Sequence, residues 1–233
     1  MKVSVIIEAR MTSSRLPGKH LKRFNHKFPI QILLEQLSFC HSIDQVIVAC
    51  TINKEDDILA QVARNLGATV YRGNEDNVYE RVVGAALTNQ VDLIVEVTGD
   101  CPLIDPEIVD DAVTYFLNGE YDYVSNANFR YFPDGMDVQV FSTSTLRESQ
   151  KHCYSEEYFE HVTMQFRELQ NGYKIFDLPE PEYGDYGHLR VTLDTFDDLV
   201  KIEKIYCALK SPSTPIRCYQ IIDFLNKNES IDA

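Results

Sequence analysis

The sequence predicts an α/β fold: a mainly parallel sheet with helices on both faces and one antiparallel excursion. Three observations carry this. Short runs rich in branched apolar residues recur at 3–7, 46–50, 69–71 and 93–97, as buried strands require. Between them, residues 30–40, 56–66 and 78–87 space their apolar side chains as helices do, and such alternation builds parallel sheets. After residue 121 the rhythm lapses, and two strand-like runs, 121–125 and 136–141, follow each other with no helix between.

Local signals place the individual elements. Gly67 follows Leu66 and suits a left-handed helix cap that returns the chain to the sheet. Asp105-Pro106-Glu107 opens a helix with an N-cap, a proline at the first position and an acid in the first turn. Pro133-Asp134-Gly135 is a turn signal, and residues 137–141 alternate as a half-buried strand does. Helices are expected at 142–151 and 155–169, strands at 174–177 and 189–193, and closing helices at 196–209 and 216–226. The 233 residues suit a single domain spanning 1–233.

Composition narrows the function classes. A formal net charge of −14 argues against nucleic-acid or anionic-membrane partners, which need a cationic footprint. No apolar run reaches the length of a membrane span, and Glu8 and Arg10 interrupt the opening apolar stretch, so no signal peptide and a cytoplasmic location are expected. Six cysteines without metal or redox spacing read as reduced thiols. Cys101, with no histidine near it in sequence, reads as a small buried spacer rather than a nucleophile.

The most informative segment runs from Ile6 to Lys19. An apolar strand enters a loop carrying Arg10, Arg15 and Lys19 with Thr12, Ser13 and Ser14, a donor set suited to a polyphosphate. Asp100 follows Gly99 just beyond the strand 93–97, at the edge where open α/β sheets bind ligands. A carboxylate there can hold magnesium, and capping the turn before Pro102 suits it equally well. Asp194 repeats the arrangement before a helix, where Thr195 and Asp198 form a capping-box pattern. Two such carboxylates facing the cationic loop would make a magnesium-nucleotide site. Arg72 and Arg81 could border a nucleotide pocket. Arg130, Asp134 and Asp137 could meet an acceptor, and His161 sits in a helical pattern after Glu160; surface roles fit all of these too.

With these segments in view, the chain resembles the cytidylyltransferases that activate acidic sugars. It is similar in particular to the spore-coat polysaccharide synthesis group, related to CMP-sialate and CMP-3-deoxy-octulosonate synthetases. The matching pieces are Ala9-Arg10-x-x-Ser13-Ser14-Arg15-Leu16-Pro17-Gly18-Lys19, Thr98-Gly99-Asp100-Cys101-Pro102-Leu103-Ile104-Asp105, Phe132-Pro133-Asp134-Gly135-Met136-Asp137-Val138, Glu160-His161-Val162-Thr163 and Asp194-Thr195-x-Asp197-Asp198-Leu199. Together they span nearly the whole chain.

The resemblance implies a Rossmann-like, glycosyltransferase-A-like nucleotidyltransferase that releases pyrophosphate from CTP, with an acidic small molecule as acceptor. It assigns Ala9, Arg10, Ser13, Ser14, Arg15 and Lys19 to CTP, and Asp100 and Asp194 to Mg2+. Arg15, Lys19 and Asp100 become catalytic; Gly99, Asp134, Asp137 and His161 border the substrates. Segment 121–141 is implied to close the acceptor site across a homodimer. One departure stands out, because many relatives carry proline where this chain has Glu8. Two other readings are a metal-dependent glycosyltransferase, for which a compact Asp-x-Asp pair is missing, and a non-catalytic nucleotide-binding subunit.

Overall fold

A computed structural model describes residues 1–23, 26–168 and 171–228. Seven strands form one sheet in the order β3-β2-β1-β4-β6-β5-β7. They are β1 (Val3–Glu8), β2 (Gln45–Thr51), β3 (Thr69–Gly73), β4 (Leu93–Thr98), β5 (Tyr123–Ser125), β6 (Gln139–Ser142) and β7 (Ile175–Asp177). Only β6 runs against the others, pairing antiparallel with both β4 and β5. The excursion is therefore one reversed strand inserted into a parallel sheet.

Period-two alternation splits the core in two. Val3, Val5 and Ile7 of β1 face a core completed by α1 (Pro29–Leu37), α2 (Asp57–Asn65), α4 (Pro106–Asn118), α8 (Phe196–Leu209) and α9 (Cys218–Lys227). Ile6 faces the opposite core, built with α3 (Val78–Thr88), Leu146 of α5 (Thr143–Ser149) and Phe166. Fully burying each such side chain contributes roughly 1.5–3 kcal/mol.

The expected caps form. Gly67 has φ 90, the Asp105 side chain accepts from the Glu107 amide, and Thr195 with Asp198 closes a capping box at α8. Two expectations need correction. The helix over 155–169 is interrupted, giving α6 (Glu156–Glu160) and α7 (Met164–Arg167) with His161–Thr163 between them; Leu169 lies outside the described residues. The Thr163 hydroxyl turns to the Gln139 side chain at 2.6 Å, so the segment bends to reach the start of β6. Residues 189–193 form no sheet strand and make one isolated bridge, Asp134 to Arg190.

That bridge seats the 189–194 segment against the turn at Gly135. Asp134 N donates to Leu189 O and Val191 N to Asp134 O, at 2.9 and 2.7 Å. Gly135 has φ 108, and a Cβ there would lie 2.8 Å from the Val191 carbonyl carbon. Replacing Gly135 with alanine should therefore lower unfolding free energy by about 2 kcal/mol or more, measured by urea denaturation. An unchanged midpoint would contradict this packing.

Candidate active site

The loop after β1 is shaped by three anchors. Leu16 is buried, Gly18 takes φ 71 and donates its amide to Met11 O at 2.9 Å, and Met11 N donates to Asp56 Oδ1 at 2.7 Å. Asp56 is wholly buried, and its second oxygen accepts from Thr51 N at 2.7 Å. The loop is thus tied to the end of β2, and the 3-10 turn Lys19–Leu21 directs Lys19 inward.

There the Lys19 ammonium lies 3.0 Å from Asp100 Oδ2 and 3.0 Å from Asp194 Oδ1. Asp100 stands just past the end of β4, and its backbone oxygen accepts from Leu193 N at 2.8 Å, which brings the two acids to one place. Arg15 reaches the same Asp194 oxygen at 3.0 Å, while Arg190 holds the other at 2.6 Å. Burial pushes the Asp100 carboxyl up, but the Lys19 charge and hydrogen bonds from Thr98 and Lys19 outweigh it and hold it below the usual range. Asp100 is therefore ionised at neutral pH.

Around this pair lies a cavity of about 350 Å³ whose walls include Ala9, Arg10, Ser13, Ser14, Arg15, Lys19, Arg81, Gly99, Asp100, His161 and Asp194. Of the site residues expected from sequence, these eleven converge. Arg72 does not, because its guanidinium is held by Thr51 O, Asn53 O and Asp57. Asp134 and Asp137 stand apart from the cavity, paired to Arg130 at 3.1 Å each. Arg10 is held loosely, 3.5 Å from Glu160 and 3.9 Å from Glu75.

The matching family model, described as cytidylyltransferase, covers residues 4–227. This chain belongs to the cytidylyltransferase family. It is 31% identical over 231 residues to the spore coat polysaccharide biosynthesis protein SpsF of Bacillus subtilis, covering 96% of this chain and 93% of SpsF. It is 26% identical to an 8-amino-3,8-dideoxy-manno-octulosonate cytidylyltransferase of Shewanella woodyi, covering 88% of this chain and 85% of that one. A cytidylyltransferase structure from Leptospira borgpetersenii superposes with a TM-score of 0.92 at 33% identity, covering 99% of this chain and 96% of that one. The structure of CMP:2-keto-3-deoxy-manno-octonic acid synthetase complexed with CTP shares the fold, at TM-score 0.68 and 18% identity over 89% of this chain and 99% of that one.

Around this candidate site, several residues escaped the sequence reading. Arg190 clamps Asp194, Asp198 and Asp134, although its position suggested only a strand. Glu96 is 4% exposed inside β4; a carboxylate in the run Leu93-Ile94-Val95-Glu96-Val97 was a usable signal. His20 is buried and donates from Nδ1 to Gly99 O at 3.1 Å, a contact no local pattern announces. Cys101 is a buried thiol that burial, then the Asp100 charge, pushes well up, so it stays protonated.

Burial and the Lys19 charge lower the His20 imidazole to about 4. The unfolded chain takes up this proton near pH 6.5 and the folded chain only near 4, so acidification favours unfolding through that window. Between pH 7 and pH 5 the wild type should lose about 2 kcal/mol more stability than His20→Asn, read from denaturation curves at both pH values. Equal losses in the two proteins would contradict a buried neutral imidazole.

Proposed function

We propose that this chain transfers CMP from CTP to an acidic small-molecule acceptor, releasing pyrophosphate, in surface polysaccharide synthesis. The observation that carries the reading is the Lys19 ammonium held between Asp100 and Asp194 at a cavity walled by Arg10 and Arg15. An acceptor oxygen attacks the α-phosphorus, and the bond from that phosphorus to the bridging oxygen of the β-phosphate breaks. Lys19 and Arg15 then stabilise the negative charge gathering on the leaving pyrophosphate. Ser13, Ser14 and Arg10 supply further donors along the triphosphate.

Among the described residues no group of three or more His, Cys, Asp or Glu side chains is arranged to hold a metal. Two hard carboxylates facing one cation nonetheless suit magnesium, which takes one or two protein oxygens and completes its shell with water and phosphate. Asp100 and Asp194 would hold it, and when bound it would neutralise triphosphate charge and polarise phosphoryl oxygens. The donor set thus fits an ion that arrives with the nucleotide.

The family match favours this reading over a glycosyltransferase or a non-catalytic subunit. Segment 121–141 would meet a second copy of the chain, and the 64% exposure of Phe129 within it supports a homodimer. Among the described residues no helix is long and apolar enough to cross a membrane.

Pyrophosphate release measured across the four ribonucleoside triphosphates and a panel of sugar acids tests the reaction. CTP alone should support turnover, and Asp100→Asn should lower it on the order of 10²–10³-fold with an unchanged circular dichroism spectrum. Near-normal turnover in that variant would reject the role of Asp100, and equal use of all four nucleotides would reject the cytidylyl assignment.

A further inference from the structure

The two oxygens of the Asp194 carboxylate are held by different kinds of partner. Oδ1 meets the Lys19 ammonium and the Arg15 guanidinium, each at 3.0 Å. Oδ2 accepts from Arg190 Nη2 at 2.6 Å. In the reaction proposed above, Lys19 and Arg15 turn to the triphosphate, so both of these partners of Oδ1 are ones that leave. Arg190 lines a different cavity, with His188, Leu189 and Lys201, and is placed to stay on Oδ2.

Arg190 is itself fixed from a second side. Its Nη1 donates to Asp198 Oδ1 at 2.9 Å, and Asp198 Oδ2 accepts from the amides of Asp194 and Thr195 at 2.9 and 2.7 Å. Asp198 thus belongs to the first turn of α8 and cannot follow a moving side chain. The backbone of the same stretch is pinned on either side of Arg190, Val191 N donating to Asp134 O at 2.7 Å and Leu193 N to Asp100 O at 2.8 Å. A planar guanidinium that spans two carboxylates, one of them anchored, sets the rotation of the other.

We infer that Arg190 is a positioning residue for the transfer: it fixes the Asp194 carboxylate by Oδ2, so that Oδ1 stays aimed into the cavity of the candidate site for a divalent cation once Lys19 and Arg15 have turned to the nucleotide. This rests on the cytidylyl-transfer reading and assigns a further role within it.

Two effects of Arg190 on a cation at Asp194 have opposite signs. Its positive charge repels the cation, whereas its grip spares the carboxylate the cost of being ordered. The Arg190 side chain is 38% exposed, so solvent screens the repulsion. Groups that orient a metal ligand typically contribute about 10–100-fold in metal affinity, and the orienting effect therefore wins.

Calorimetry measures how much more tightly the protein binds CTP with Mn2+ than with EDTA. The wild type should show a gain, and Arg190→Gln should lose about tenfold or more of it, with affinity for CTP in EDTA unchanged as the sign of an intact site. Arg190→Lys should lose it too, because an ammonium is a point charge and cannot span two carboxylates as a planar fork does. A gain kept or enlarged in Arg190→Gln, or fully restored in Arg190→Lys, overturns this inference and leaves the proposed reaction standing. A wild type that binds CTP equally with and without Mn2+ overturns the metal reading and this inference with it. If the variants lose CTP binding in EDTA, crystals of the wild type with CTP and Mn2+ decide: Arg190 should remain on Asp194 Oδ2, and an Arg190 swung away, or both Asp194 oxygens on the cation, overturns the inference.

Discussion

A single ammonium, that of Lys19, holds two acids from distant parts of the chain, and the geometry of the site follows from it. Asp100 ends the central strand β4, and Asp194 precedes α8, so without an intervening cation two carboxylates would face each other across a partly buried gap. Like charges in that setting repel strongly. Removing one partner of a buried ion pair typically destabilises by about 3–5 kcal/mol. The loop between Arg10 and Gly18 is shaped to deliver that one charge, and Asp56 and Gly18 secure it from behind.

The same arrangement accounts for how an acidic protein can receive a polyanion. With a net charge of −14, the chain repels nucleotides at long range. Its candidate site gathers Arg10, Arg15 and Lys19 on one wall, each paired to a carboxylate. In the reaction proposed above, a bound triphosphate would replace those carboxylates as partner, and the acids so released could hold a divalent cation. On that proposal the site would exchange ion pairs on binding rather than create them, and its charges would stay compensated.

Much of this was legible in the residues themselves. The strands β1 to β4 and the helices between them follow from periodicity, since buried parallel strands admit few polar residues. The loop cations and the two strand-end acids could be read because their residue types are unusual at those positions. What stayed hidden depends on contacts between distant segments. The break at His161–Thr163 is a tertiary choice, in which a helical pattern yields to a hydrogen bond with Gln139. Residues 189–193 look like a strand in sequence, but they bridge to Asp134 beside the Gly135 turn and join no strand of the sheet. Arg190 and His20 gain their roles only once Asp194 and Gly99 are brought beside them, whereas Glu96 was visible as a charge inside an apolar run.

The account is tested most directly by locating a divalent cation. Crystals grown with CTP and Mn2+ should show an anomalous scattering peak between the carboxylates of Asp100 and Asp194, with the Lys19 ammonium moved onto phosphate oxygen. A peak elsewhere, with both Lys19 ion pairs intact beside bound nucleotide, would contradict it.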